Sequence, residues 1–373
     1  MFRFIHSSDL HLGKPYGQMP DDVRGRLVEA RFQKIDALLD LAEREGVTHI
    51  LLAGDTFDAE TPSPATRRQA IRAMGRDRGI QWVILPGNHD SLAADELWQN
   101  LAQEALPEVV TLALTPEPIE LADGVTLLPA PCPARRAGRD LTAWMNAAET
   151  PDRHIRIGLA HGGVQSFAED GSADTLAPDR AVRAKLDYLA LGDWHGQMQV
   201  EPRTWYSGTP ETDRFKHEGR ASALVVTISG AGQVPQVEPA ETGQFLWALH
   251  PMTVTPGADP VAQLEGLLPA EATRRDVLMQ IELSGRIKPM DREALKKALD
   301  AAEPDFARLQ WRERDLAVEY EVDDLDRIDQ AGVLRSAAET LYAQSEDADR
   351  SAEDRAIARN ALNRLYGYAV ELT

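Results

Sequence analysis

Five short polar motifs, each placed directly after an apolar run, constrain the fold of this 373-residue chain more than any other feature. The runs are short, rich in aliphatic residues and bounded by Gly, Pro or charge, which is typical of buried strands. They cover residues 3–6, 47–53, 81–85, 155–160 and 188–191. Between the first two, residues 24–45 carry apolar side chains at helical spacing and stop at Gly46. This order of strands and helices predicts βα units.

The motifs bring carboxylates, histidines and one amide to the ends of these strands. They read Asp9-Leu10-His11, Gly54-Asp55-Thr56-Phe57-Asp58, Gly87-Asn88-His89-Asp90, Ala160-His161-Gly162 and Gly192-Asp193-Trp194-His195. Side chains beyond the carboxyl ends of neighbouring strands converge on one edge of an α/β sheet. We therefore expect all five motifs to face one crevice.

The residue types in the motifs indicate metal chemistry. Asp and His supply hard oxygen and borderline nitrogen ligands, which suit Mn, Fe or Zn better than Ca. Two ions about 3.5–4 Å apart can hold a phosphoryl group and lower the pKa of a shared water, and Asp55 is the natural bridge between them. His89 is free to face the leaving-group oxygen as proton donor, with Asp58 orienting its ring. The set predicts a two-metal phosphoesterase.

The order D-x-H, G-D-x-x-D, G-N-H-D, H and G-x-x-H resembles the calcineurin-like metallophosphoesterase superfamily. Within it, the SbcD-like DNA repair exonucleases are the most similar branch. Three segments carry that similarity: residues 4–13 (FIHSSDLHLG), 187–192 (DYLALG) and 206–211 (YSGTPE). The resemblance covers about residues 1–225 and implies a four-layer α/β/β/α sandwich.

The resemblance also implies two divalent ions, most readily Mn with Fe or Zn as alternatives, and a role for each motif residue. One ion takes Asp9, His11, Asp55 and His195, the second takes Asp55, Asn88, His161 and residue 193, and His89 is the catalytic histidine with Asp58 as its partner.

One position departs from the family pattern. The last motif is usually Gly-His-x-His, whereas this chain has Gly192-Asp193-Trp194-His195. Aspartate can still ligate, although it is shorter and adds a negative charge. Asp193 is therefore either a ligand that alters the metal preference of the second position or the cause of a weakened second site.

The remaining segments predict a mixed sheet, and the pattern of strand-like and helix-like segments changes after Ala221. Residues 64–78 are expected to form a second helix, and residues 111–114, 119–121 and 125–128 hairpin strands turned at Asp123-Gly124. Later segments are predicted as strands 223–229, 245–254, 277–283 and 316–322, a helix at 291–302 and a helical tail at 329–372. The expected domains are 1–225 (nuclease), 226–325 (a smaller α+β cap) and 326–373 (helical).

Charge and composition limit the class of protein. The net charge is −20, and residues 226–373 hold 16 Lys and Arg against 27 Asp and Glu, which argues against an extended basic surface for nucleic acid. Cys132 is the single cysteine, so an intramolecular disulfide is excluded. The chain has neither a signal-like start nor an apolar stretch of roughly 20 residues, so we expect a cytoplasmic protein without a membrane partner.

The motifs specify phosphoester cleavage, and the resemblance implies DNA as the substrate of an exonuclease or endonuclease. The acidic balance favours an alternative, a phosphodiesterase of nucleotides or other small phosphodiesters. A third hypothesis is a binding subunit with a weakened site. Trp205, Tyr206 and Arg214 follow the last motif, where they either bind a nucleic-acid strand or pack in the core.

The arginines and the tail raise questions about partners. Five arginines within residues 67–78 form either a substrate-guiding patch or a solvated helix face. SbcD-like nucleases commonly dimerise and work with a coiled-coil ATPase, an SbcC-like partner. Residues 334–372 are then either a segment that meets this partner or a helix packed on its own domain.

Overall fold

The computed structural model describes residues 1–103, 106–164, 175–217, 219–320, 324, 326, 328–329 and 332–371. The chain divides into two compact units, Met1–Trp247 and Ala248–Thr373. This division lies later in the chain than the expected boundary after residue 225. The reason is that the strand Gln236–Glu241 pairs with Ser222–Ile228 and extends a sheet of the first unit.

The strands of the first unit are numbered in chain order. They are β1 (Phe2–Ser7), β2 (His49–Leu52), β3 (Gln81–Ile84), β4 (Val110–Leu112), β5 (Ile119–Ala122), β6 (Val125–Ala130), β7 (Ile155–His161), β8 (Tyr188–Gly192), β9 (Met198–Glu201), β10 (Thr204–Tyr206), β11 (Ser222–Ile228) and β12 (Gln236–Glu241).

Two mixed six-stranded sheets are formed by these strands. The first has the order β12-β11-β1-β2-β3-β4, in which β1 to β4 are parallel and β11 is antiparallel to β1. The second has the order β5-β6-β7-β8-β10-β9, in which β6, β7, β8 and β10 are parallel. The predicted preference for mixed over purely parallel sheets is confirmed.

The helices are also numbered in chain order. They are α1 (Asp21–Glu45), α2 (Pro64–Met74), α3 (Asp95–Gln103), α4 (Arg180–Arg183), α5 (Pro260–Leu267), α6 (Pro289–Ala302), α7 (Val333–Glu346) and α8 (Ala352–Glu371). Short 3₁₀ turns occupy Ala143–Asn146, Glu271–Asp276 and Glu303–Asp305. No helix in the described parts of the chain is long and apolar enough to span a bilayer.

The layers follow from the alternation of side chains along each strand. Phe4 of β1 points into a core shared with Ile157 and Tyr188 of the second sheet, so the two sheets pack face to face. The next residue, Ile5, points to the other side and packs against Leu38 of α1. A third core joins the outer face of the second sheet to α4 and the 143–146 turn. The order of layers is helix, sheet, sheet, helix, which confirms the predicted α/β/β/α sandwich.

Two local predictions in the first unit are wrong. Val110–Leu112 does not join the hairpin with β5 and β6, because it pairs with β3 at the edge of the first sheet. The hairpin itself forms between β5 and β6, turned at Gly124 with φ of +75°. Helix α2 ends at Met74 rather than at residue 78, and the Gly75 amide closes it on the Ile71 carbonyl.

The second unit contains a three-stranded sheet and helices. The strands β13 (Leu246–Val254), β14 (Val277–Ile287) and β15 (Arg308–Val318) lie in that order, with β14 and β15 parallel. The predicted strand 316–322 is therefore wrong in its start, and residues 321 and 322 lie outside the described residues. The tail forms two helices, α7 and α8, which pack through residues such as Ala338 and Leu362.

Candidate metal centre

All five motifs lie at the carboxyl ends of parallel strands. β1, β2 and β3 run parallel in the first sheet, and β7 and β8 run parallel in the second. The predicted site residues are Asp9 and His11 after β1, Asp55 and Asp58 after β2, Asn88 and His89 after β3, His161 at the end of β7, and Asp193 and His195 after β8. The facing sheets thus gather residues from half of the chain at one edge.

Four of the predicted ligands have a backbone conformation that L-residues rarely adopt. The φ angle is +55° at Asp9, +45° at His11, +54° at Asp55 and +98° at Asp193. Within the described residues, seven non-glycine residues have a positive φ, so most of this strain lies in one crevice. Each such position costs about 1–3 kcal/mol and persists only where the surrounding structure enforces it.

Close backbone approach explains two motif glycines. A Cβ on Gly87 would lie 2.2 Å from Oδ1 of Asp55, and one on Gly54 would lie 2.3 Å from Nδ1 of His161. The buried carboxylate of Asp90 joins the same loops, because it accepts from the amides of Gly87 (2.7 Å) and Phe57 (3.0 Å). Burial, with the charge of Asp55 second, raises the pKa of Asp90 to about 7. These contacts hold the second and third motifs together.

The first group of donors consists of Asp9, His11, His195 and Asp55. Nε2 of His11 lies 3.1 Å from Nε2 of His195, 3.8 Å from Oδ1 of Asp9 and 3.6 Å from Oδ2 of Asp55. Nε2 of His195 lies 3.7 Å from the same Asp9 oxygen. The ligand atoms of Asp9, His11 and His195 thus lie within 4.8 Å of one another, and Asp55 adjoins them through His11.

The second group shares Asp55 with the first. Oδ2 of Asp55 lies 3.5 Å from Nε2 of His161. Oδ1 of Asp193 lies 3.8 Å from that nitrogen and 2.8 Å from Nδ2 of Asn88. One oxygen of Asp55 thus stands between a ring nitrogen of each group, which is the placement that a bridging carboxylate needs.

Each histidine of the cluster has its Nδ1 beside an oxygen acceptor. Nδ1 of His161 donates to the carbonyl of Ala53 at 2.8 Å, and Nδ1 of His195 lies 3.0 Å from Oδ1 of Asp213. Nδ1 of His11 lies 3.1 Å from Oδ1 of Asp58. A proton on Nδ1 leaves Nε2 with the lone pair that a metal ligand requires.

Two further observations indicate that this set of donors suits divalent cations. Oδ1 of Asp9 and Nε2 of His161 are buried, and neither makes a hydrogen bond to the described part of the chain. Burial lowers the pKa of His161, but Asp55, Asp9 and Asp193 outweigh it and hold that pKa well above its ordinary value. The cluster is therefore a buried site that favours positive charge.

A family model described as calcineurin-like phosphoesterase matches residues 2–226 of this chain. The protein belongs to the calcineurin-like phosphoesterase family. Together with the Asp and His cluster, membership supports a metal-dependent phosphoester hydrolase.

Three proteins of known sequence are similar to this phosphoesterase. SbcD, a subunit of the nuclease SbcCD in Escherichia coli, is 35% identical over 305 residues, 70% of this chain and 73% of that protein. Uncharacterized metallophosphoesterase YhaO of Bacillus subtilis is 26% identical, over 61% of this chain and 57% of its own. DNA double-strand break repair protein Mre11 of Sulfurisphaera tokodaii is 25% identical, over 63% and 62%. The chain thus spans less than two thirds of YhaO and of this Mre11.

In the phosphoesterase structure, His89 and Asp58 are neighbours. Nδ1 of His89 lies 2.9 Å from the backbone carbonyl of Asp58, and the Asp58 carboxylate is directed to Nδ1 of His11 instead. The hydrogen bond between Asp58 and the His89 ring is therefore made by the backbone carbonyl of Asp58.

The two predicted substrate-binding residues of the phosphoesterase differ in exposure. Tyr206 is 1% exposed, lies in the core beside the second sheet and donates its hydroxyl to the carbonyl of Gly162, so it offers no face for stacking. Of the two alternatives that the sequence leaves open for Tyr206, the structure favours core packing, since its ring lies in the core at β10. The side chain of Arg214 is 46% exposed, and its Nη2 lies 3.0 Å from Nδ1 of His195. Arg214 is thus at the cluster and open to solvent.

Two buried charged residues behind the cluster of the phosphoesterase were not predicted. Arg31 of α1 is 1% exposed, and the carboxylate of Asp213 contacts both Arg31 and His195. A signal for Arg31 exists in the sequence: it falls at i+4 from Leu27 and i−4 from Ile35, on the apolar face of its helix. A cation at such a position requires a buried partner.

Proposed function

We propose that this protein is a two-metal phosphodiesterase that hydrolyses DNA, as an exonuclease or as an endonuclease acting at ends. The observation that carries the proposal is the shared Asp55 oxygen between two Asp and His groups, with His89 beside them. The relative with 35% identity is by name part of a nuclease, and this supports DNA as the substrate class.

The residues that would hold the ions divide into two sets. The first set is Asp9, His11, Asp55 and His195, and the second is Asp55, Asn88, His161 and Asp193. When bound, two divalent ions would neutralise phosphate charge and activate a water for in-line attack. Carboxylate oxygens outnumber imidazole nitrogens at the second position, a balance that favours Mn²⁺ over softer ions.

His89 is proposed to protonate the leaving-group oxygen. Its ring packs edge-on against His11, with 4.8 Å between ring centroids. The carbonyl of Asp58 can only accept a hydrogen bond, so Nδ1 of His89 carries a proton and Nε2 remains for exchange with the substrate. Arg214, half-exposed beside His195, is proposed to bind a phosphate oxygen of the strand.

Asp193 is proposed to be a ligand of the second ion, in place of the histidine usual in the family. We expect Asp193→Ala to weaken binding of the second Mn²⁺ by more than about 100-fold, the upper end of what loss of a supporting partner costs. Asp193→His should retain two ions. Mn²⁺ titration calorimetry with metal counting measures both, and unchanged affinity and stoichiometry in the two variants would contradict the assignment.

The choice between DNA and a small phosphodiester needs a direct comparison. The net charge of −20 favours the small substrate, and the nuclease relative favours DNA. With Mn²⁺ present, we expect hydrolysis of single- or double-stranded DNA as well as of bis-p-nitrophenyl phosphate. EDTA-treated protein serves as the control. Turnover of cyclic or linear nucleotides without any cleavage of DNA would refute the DNA substrate and support the alternative.

We propose that the protein forms a homodimer and works with a coiled-coil ATPase, and the Escherichia coli relative, itself one component of a larger nuclease, supports a protein partner. The tail supports the same idea. Val333 of α7 is 85% exposed, and Ile357 and Tyr368 of α8 are 61% and 63% exposed. Apolar side chains that protrude from two packed helices are a suitable surface for another helix.

A further inference from the structure

A single buried guanidinium reaches the loop that carries the first metal motif. Nη1 of Arg31 donates to the carbonyls of Leu10 (2.6 Å) and Asp9 (3.3 Å), and Nε donates to the hydroxyl of Tyr16 (2.6 Å). Asp9 has a φ of +55°. The carbonyls of this strained turn therefore have a fixed cationic donor on the side away from the crevice.

The same guanidinium reaches the loop after the last motif. Nη2 of Arg31 donates to the carbonyl of Glu211 (3.2 Å) and lies 3.4 Å from Oδ2 of Asp213. Nζ of Lys14 lies 2.9 Å from that oxygen as well. The side chains of Arg31 and Asp213 are both 1% exposed, so this ion pair is shielded from water.

The other oxygen of Asp213 faces a predicted ligand. Oδ1 lies 3.0 Å from Nδ1 of His195. Nη2 of Arg214 is also 3.0 Å from that nitrogen, but a guanidinium cannot accept a proton, so the two contacts cannot both be hydrogen bonds to Nδ1. The buried carboxylate decides the tautomer, because it is an acceptor only. Nδ1 then carries the proton, and Nε2 presents its lone pair to the cluster.

We propose that Arg31 and Asp213 form a positioning pair that holds Asp9 and His195 in register as ligands of the first ion. The pair acts from behind the site: Arg31 fixes the turn of Asp9 and the carboxylate of Asp213, and Asp213 fixes the ring of His195. The proposal rests on the proposed metal site. A buried ion pair is by itself weak evidence for stability, since apolar residues of similar volume often stabilise equally well. Its use here is orientation of metal ligands.

The test compares Asp213→Asn and Arg31→Gln with a matched control, Arg156→Gln. Arg156 also donates to four protein groups, among them the carbonyl of Met145 (3.2 Å) and the hydroxyl of Thr150 (2.7 Å). It lies near the start of β7, at the end opposite to His161. Asp213→Asn conserves shape and carries the test if Arg31→Gln does not fold by circular dichroism.

Mn²⁺ titration is expected to show a loss of about 10–100-fold in affinity at one of two positions in both test variants, the usual cost of removing a group that orients a metal-bound histidine. The visible absorption of the Co²⁺-loaded protein should change in Asp213→Asn and not in Arg156→Gln. Wild-type affinity in Asp213→Asn, or an equal loss in Arg156→Gln, would overturn the positioning role alone. A wild-type protein that binds no Mn²⁺ would overturn the proposed function and the positioning role together.

Discussion

Replacing Asp55 by asparagine is expected to lower the rate of phosphodiester hydrolysis by at least about 1,000-fold, since several kcal/mol of metal-derived stabilisation of the transition state are removed. Oδ2 of Asp55 is 3.6 Å from Nε2 of His11 and 3.5 Å from Nε2 of His161. Loss of its negative charge therefore weakens both positions at once. Because Asp55 belongs to both donor sets, this substitution should affect two ions together.

Metal counting and steady-state kinetics check this expectation. Asp187→Asn is the matched control, because Asp187 is also buried and accepts the amide of Arg156, but it precedes β8 and lies at the opposite end of that strand from Asp193. We expect Asp187→Asn to lower stability and to retain two Mn²⁺ ions. Two tightly bound ions in Asp55→Asn would show that this carboxylate is not the bridge.

His89→Ala is expected to reduce kcat by about 10²–10⁴-fold, the range for loss of a general acid, and to leave metal affinity unchanged. The reason is that the only described hydrogen-bond partner of the His89 ring is the carbonyl of Asp58, and His89 is in neither of the two proposed ligand sets. The reduction in kcat should be smaller for a substrate with a better leaving group, such as bis-p-nitrophenyl phosphate, because its leaving group needs less protonation in the transition state.

The matched control for His89 is His154→Ala. His154 has Nδ1 2.9 Å from the hydroxyl of Thr126 and stands just before β7, away from the crevice. The kcat of His154→Ala should equal that of the unmodified protein. If His89→Ala instead lost Mn²⁺ with kcat, His89 would be a ligand rather than a proton donor.

Much of the candidate site could be predicted because strand ends are local in sequence. An apolar run followed by a Gly and a polar side chain indicates where a strand ends and which side chain lies beyond that end. That information places Asp55 at the carboxyl end of β2 and His161 at the carboxyl end of β7, but these strands belong to different sheets. Their approach to 3.5 Å follows from the face-to-face packing of the two sheets.

The atom of Asp58 that contacts His89, and the choice between the two alternatives for Tyr206, could not be obtained in this way. Asp58 contacts Nδ1 of His89 through its peptide oxygen, and its carboxylate lies 3.1 Å from Nδ1 of His11. Tyr206 follows the last motif, as a substrate-binding residue would, but β10 directs its ring into the core. For Tyr206, residue type and spacing are the same whether the ring binds substrate or packs in the core.

The amino-acid sequence by itself determined the candidate donors, their order after the strands and the mixed character of the sheets, because each is encoded in short segments. Only the tertiary structure decided which oxygen of Asp55 stands between the two groups and that Arg31 of α1 supports the turn at Asp9. The extent of the first unit was also a tertiary matter, since β12 joins its sheet beyond residue 225. These features depend on contacts between residues far apart in the chain, which no local periodicity records.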